Sequence, residues 1–229
     1  VLAETPFKDA ANGDFTLENA LAASERVGDP RWNTNAGRYV GPTFNVASTG
    51  DLLMAIAAGK TNITLEGGVT YDLFEAEDAA VASGLLSVVG DLSLNGKLNH
   101  GLKPTVVGGF KLFATEGSFV LNNLHLVGTK VNADESKSTI GNMIDIDASA
   151  VLGKLTLVDN DIEAYANRLI SGSGESTCGP VTLKGNRVSD FGTGGDFIDF
   201  RKGKVSSIKV VSNTFENGIR TFLRVDAAV

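Results

Sequence analysis

The chain has 229 residues and a net charge of −7. That acidic balance disfavours nucleic acid and anionic membrane surfaces, both of which call for Lys and Arg against phosphate, but it leaves room for a local basic groove. No apolar run approaches the roughly 18 residues of a membrane-spanning helix, so membrane insertion is not expected. The lone cysteine, Cys178, excludes an internal disulfide and a thiolate zinc site, and two histidines, His100 and His125, are too few for a His-rich metal site.

Glycine is abundant at 27 residues and proline scarce at 5, which points to many turns within an ordered fold. Residues 1–45 read as a turn-rich, tail-like segment followed by an irregular connector over 33–45. A helix is expected next, over 49–58. Ser48 or Thr49 can cap it, Asp51 sits in its first turn, Leu52, Leu53, Ile56 and Ala57 form an apolar face, and Gly59 is placed to stop it. From Asn62 onward short strands alternate with turns: Ile63, Leu65, Val69 and Tyr71 alternate, as do Leu85 to Val89, then Leu92 and Leu94.

Internal repetition chooses among the architectures such strands could build. Asn122, Asn160, Asn186 and Asn213 each precede an apolar residue by two positions. The last three are 26 and 27 residues apart, while Asn122 to Asn160 is 38, which implies an insertion around Asn132 to Thr139. A second line starts at Asn142, Asn167, Asp196 and Thr221, with spacings of 25, 29 and 25. Two interleaved lines with one period of roughly 25 residues follow naturally from stacked repeats, each too small to bury its own apolar face. The expected fold is all-β: a single-stranded right-handed parallel β-helix over 46–229, with one N-terminal capping α-helix. Ile144, Leu169, Ile198 and Leu223 should form one buried column. The Asn line has a turn role of its own, since Asn bonds neighbouring backbone and tolerates left-handed conformations.

These repeats resemble the pectate-lyase and chondroitinase-B-like superfamily of right-handed β-helices, most clearly over 46–229. The helix followed by Thr61–Tyr71 looks like the usual opening of such domains. The phrases 196–203, 212–215 and 222–226 look like uncharacterised β-helix domains in surface lipoproteins of glycan-degrading Gram-negative bacteria. The resemblance implies export, a removed signal peptide, a cell-surface or outer-membrane-associated location, and complex polysaccharide as the partner. The phrase 6–17, with Gly28-Asp29-Pro30-Arg31-Trp32, is similar to the C-terminal tail of such proteins, yet precedes the helix here. The last strand looks cut, so a further chain, a partner or a domain exchange is expected at that end.

The candidate chemistry lies on the second line. If Phe197, Ile198 and Phe200 fill the core, Asp199 and Arg201 point outward, and stacking gathers Asp145, Asp199, Arg201, Arg224 and Asp226 on one face, with Asp147 and Lys202 adjoining. As a uronate-polysaccharide lyase, the chain would use Arg201, Lys202 and Arg224 as cationic groups or base, and Asp145, Asp199 and Asp226 at the substrate, with no cofactor beyond a Ca²⁺ ion on Asp145 and Asp199. As a non-catalytic protein, it would bind or scaffold glycan; as a stalk or adhesin, it would carry the same charges as a surface ladder that sets register.

Weaker candidates are a carboxylate pair of Glu163 with Asp159 or Asp161, and aromatic platforms at Trp32, Tyr39, Tyr71 and Tyr165. The 172–176 Gly/Ser loop lacks the Lys and following helix of a phosphate cradle. Cys178 reads as a turn or core residue, His125 as an outer-face strand residue, and Asn62-Ile63-Thr64 as a sequon.

Overall fold

The alternation read from Asn62 onward folds as short parallel strands. The computed structural model describes residues 7–9, 14–17, 39–40, 43–113, 115–192, 196–218 and 221–225. The chain divides into two units, Val1–Asn45 and Val46–Val229. In the first, Phe7–Asp9 pairs antiparallel with Asp14–Leu17, and Tyr39–Val40 with Thr43–Val46. The connector expected to be irregular therefore contains two short strands. Trp32 and the Gly28–Trp32 phrase lie outside the described residues.

The second unit is all-β with one α-helix among the described residues, α1 (Thr49–Ala57). Its strands fall into three sets. A long-strand sheet takes Asn62–Glu66, Leu92–Lys97, Thr115–Asn122, Val151–Val158, Thr177–Lys184 and Lys204–Val211. A short-strand sheet takes Thr70–Asp72, Thr105–Val107, His125–Val127, Asp161–Glu163, Arg187–Ser189 and Thr214–Phe215. A third sheet takes Leu85–Val88, Gly109–Leu112, Asn142–Ile146, Arg168–Gly172, Asp196–Phe200 and Thr221–Val225, with Val81–Ala82 antiparallel at its edge. Along the chain the strands visit the long, short and third sheets in that unbroken cycle. Each pairs in parallel with its counterpart one cycle earlier.

Parallel in-register stacking turns each inward position into a column. Ile63, Leu94, Leu121, Leu157 and Leu183 stack in the long-strand sheet, and Tyr71, Val106, Leu126, Ile162 and Val188 in the short one, all buried. Each such side chain contributes about 1.5–3 kcal/mol by leaving water. In the third sheet the column is Leu86, Phe110, Ile144, Ile170, Ile198 and Leu223, buried through Ile198, whereas Leu223, expected to be buried, is exposed on the last strand. This corrects the expected column by one residue: Ile170, not Leu169, lies between Ile144 and Ile198. Leu169 is also buried, as are Met143 and Phe197 one position before the column in neighbouring cycles, so the residue before the inward position also turns into the core here. Gly172 explains the register. A Cβ there would lie 2.5 Å from Cδ1 of Phe200, so the glycine leaves the space that the ring fills.

The Asn line is corrected in the same way. Asn122 pairs with Val158, so it is not the counterpart of Asn160. The ladder runs through Asn160, Asn186 and Asn213, with Leu124 at the equivalent place in the earlier cycle, its amide donating to Asn160 Oδ1 at 2.9 Å. Left-handed backbone falls on the preceding residues, Asn123, Asp159, Gly185 and Ser212. The insertion is an antiparallel hairpin of Thr129–Val131 and Lys137–Thr139.

Ser48 caps α1 by accepting from the Asp51 amide at 3.1 Å. At the other end Gly59 is left-handed (φ +71), its amide reaching Ile56 O at 2.9 Å while that of Lys60 reaches Ala55 O at 3.0 Å, the pair of bonds of a Schellman stop. Leu52, Leu53 and Ala55 are buried; Ala57, expected on the apolar face, is exposed. The Thr49 hydroxyl accepts from the Asp72 amide at 3.0 Å, tying α1 to the first cycle.

Candidate functional site

The outward positions of the third sheet form a polar column. Ser87, Lys111, Asp145, Ser171, Asp199 and Arg224 lie in register on successive strands, each about 4.8 Å from the next. Asp145, Asp199 and Arg224 therefore share one face, with Ser171 between the two carboxylates.

Asp199 is 5% exposed although it sits on the outward side, because two guanidinium groups cover it. Arg168 Nε donates to its Oδ2 at 3.0 Å. Arg201 donates through its amide at 3.1 Å, through Nε at 2.9 Å and through Nη2 at 2.6 Å. Burial opposes ionisation of Asp199, but the Arg201 hydrogen bonds and the charges of Arg201 and Arg168 outweigh it and hold the carboxyl at about 2. Near neutrality Asp199 is thus a fixed anion that orients two cations, and it has no proton to donate.

A cleft of about 630 Å³ opens over this cluster. Arg168, Ser171 and Asp199 line it from the strands, Ser173 and Gly174 from the following loop, and Arg201 and Lys202 from the next cycle. Asp199, Arg201 and Lys202 thus meet at one cleft. Asp145 and Arg224 do not line it. Arg224 pairs with the fully buried Asp196, Nη1 to Oδ2 at 3.5 Å, and Asp145 accepts from Asn142 Nδ2 at 3.5 Å. Asp226 lies outside the described residues. Asp147 pairs with Lys111 at 3.5 Å, and that ammonium sits 5.0 Å from the centre of the Phe113 ring.

Arg168 is the residue that sequence reasoning missed. The second line places Asn167 opposite Asn142, whereas Asn142 pairs with Arg168, and that one-residue shift brings the guanidinium onto Asp199. The Gly/Ser loop has no Lys and no following helix of its own. The structure supplies Arg168 from a strand, and Arg201 and Lys202 from the bend after the next cycle's strand.

Calcium does not fit Asp145 and Asp199. Both Asp199 oxygens accept from guanidinium groups, and among the described residues no three His, Cys, Asp or Glu side chains converge, whereas Ca²⁺ takes six to eight oxygens.

The remaining candidates find structural roles. Tyr71 and Tyr165 are buried and cannot serve as platforms. The Tyr71 hydroxyl donates to Val46 O and accepts from the Glu66 amide at 2.9 Å, and burial pushes it up to about 12. The Tyr165 hydroxyl donates to Gly108 O at 2.7 Å. The Tyr39 side chain lies outside the described residues. Glu163 pairs with the His125 ring at 2.9 Å and Asp161 with the Lys103 ammonium at 2.8 Å, so each carboxylate has its own partner. Cys178 is a core residue whose thiol burial raises to about 12. A second cleft, of about 340 Å³, has Asp72, Glu75, Glu77 and Asp78 in its lining, the first two paired with Lys130.

Among the described residues no helix is long and apolar enough to cross a membrane. No family model, curated protein or solved structure matches the chain.

Proposed function

We propose that the chain is a right-handed parallel β-helix of the pectate-lyase-like kind, exported to the cell surface, which binds or scaffolds an acidic polysaccharide on the outward face of its third sheet. The cyclic visit to three parallel sheets supports the architecture, and parallel crossovers are right-handed in nearly all proteins. The observation that carries the function is the cleft itself: Arg168, Arg201 and Lys202 gathered around one carboxylate on a chain of net charge −7. On an acidic body such a cationic patch draws anions locally. An extended outward face suits a linear glycan, whose successive sugars can contact successive cycles. Binding is favoured over lysis because Arg201 is locked onto Asp199 by its amide, Nε and Nη2 and so is committed as a structural cation.

Affinity electrophoresis through gels containing polygalacturonate, alginate, carrageenan or neutral dextran tests the reading. Retardation by at least one acidic polymer, weakened by added salt and by Lys202→Gln, is expected. Equal behaviour in acidic and neutral gels would refute it. The exposed Lys202 beside the cleft favours a second reading, a uronate lyase with Lys202 as base. Growth of unsaturated-uronate absorbance on incubation with polygalacturonate or alginate, lost in Lys202→Gln, would establish that reading; no growth with either would remove it.

A further inference from the structure

Resting on the reading that the cleft binds an acidic glycan, we infer that the group recognised is a tetrahedral oxyanion ester on a sugar, a sulfate or phosphate monoester, held by Arg168 and Lys202 over the Ser171–Gly174 loop.

The argument begins with what Asp199 already occupies. A planar carboxylate is best met by an arginine fork, two parallel N–H groups on two oxygens. In this cleft the Arg201 fork is turned inward onto Asp199. The donors left at the cleft belong to different elements. Arg168 spends only Nε on Asp199 among the described residues, so its two terminal amino groups remain on the cleft it lines. Lys202 stands exposed on the turn of the next cycle. The Ser171 and Ser173 hydroxyls line the strand and loop side.

The loop is shaped to stay close. Gly174 is left-handed (φ +50), and a Cβ there would lie 2.6 Å from that of Ala148. Strand, loop and turn thus each contribute donors to the lining of one cleft. Three terminal oxygens on sulfur or phosphorus offer more acceptor positions, spread out of one plane, than the roughly four coplanar ones of a carboxylate, and so can use more of these donors at once. Among the described residues that line the cleft, three carry positive charge and one, Asp199, negative. The cations reach the Gly/Ser loop across the sheet and not along the chain, which is why no linear phosphate-loop pattern is present.

Isothermal titration of the full chain at low salt and near-neutral pH, with glucose 6-sulfate, glucose 6-phosphate, glucuronate and glucose as probes, tests the inference. At least one ester is expected to bind about tenfold or more tighter than glucuronate, and the tighter of the two identifies the source of the oxyanion. Arg168→Gln should remove the preference. Lys202→Gln, at an exposed position that leaves the fold untouched, should reduce it several-fold, and Lys184→Gln, on the outer face of the long-strand sheet, should leave it unchanged. Equal affinity for glucuronate and both esters would overturn the inference while leaving the acidic-glycan reading in place. So would a preference that survives both cleft variants, or the absence of binding to any probe by a protein still retarded by acidic polymers. Loss of retardation by every acidic polymer as well would end both.

Discussion

Asn160 and Asn186 stand 26 residues apart and hydrogen-bond twice: the amide and the Nδ2 of Asn160 both donate to Oδ1 of Asn186 at 3.0 Å. Asn186 in turn donates from Nδ2 to Leu157 O at 2.9 Å and from its amide to Asn213 Oδ1 at 2.9 Å. The corner between the long and short strands turns too sharply for ladder bonds, and the amide side chains supply the partners that the buried backbone would lack.

Asn186→Ala is expected to lower unfolding stability by about 2–4 kcal/mol, because it strands Leu157 O and the Asn160 amide in the interior. Asn213→Ala, at a half-exposed position where water can substitute, should cost about 1 kcal/mol or less. Urea unfolding of both variants checks the order; a reversed order would mean that the ladder does not carry the corner.

Gly96→Ala and Gly90→Ala form a contrasting pair. A Cβ at Gly96 would lie 1.9 Å from Asn123 O, backbone that cannot move aside, whereas at Gly90 nothing lies within 4 Å. The first should cost about 3 kcal/mol or prevent folding. The second should be neutral or stabilise by up to about 1 kcal/mol through the unfolded chain. Thermal melts of the two proteins separate them, and similar melting temperatures would contradict the packing described.

Asp199 makes stability depend on acid. Its folded carboxyl titrates at about 2, against an ordinary value of 3.8, so between those values the unfolded state binds more protons than the folded one. The contribution, on the order of 2 kcal/mol, is complete above about pH 4 and is lost as pH falls from there toward 2. Asp199→Asn should flatten that part of the stability–pH curve and destabilise the protein at neutral pH, since Arg168 and Arg201 lose their shared anion. Denaturant midpoints measured across pH 2–6 would show it; an unchanged slope in the variant would assign the acid sensitivity elsewhere.

Ser48→Ala is expected to cost about 1 kcal/mol, the usual value of a side-chain cap, with the loss confined to α1 and the first cycle. Hydrogen exchange resolved by residue would register faster exchange at the Asp51 amide and not in the later strands. Uniform acceleration throughout would argue that α1 controls the whole unit.

The signals the chain states by itself are local ones. Alternation along Ile63 and Leu65, the Ser48 and Gly59 boundaries of α1, and the 26- and 27-residue spacing of the ladder asparagines all follow from residues whose preferences act within a few positions or recur at a fixed period. They suffice for an all-β repeat with one helix, and for placing Asp199, Arg201 and Lys202 near one another. Register is a different matter. Leu169 and Ile170 are both apolar, as are Phe197 and Ile198, so two alignments satisfy the pattern equally well. The fit of Phe200 into the space left by Gly172 selects between them. Because one residue of slip moves every side chain to the other face of a strand, that packing contact also decides that Arg168, and not Asn167, reaches Asp199. The cationic cleft is therefore a product of tertiary register: its groups come from two cycles and a loop, and only side-chain volume in the core brings them to one place.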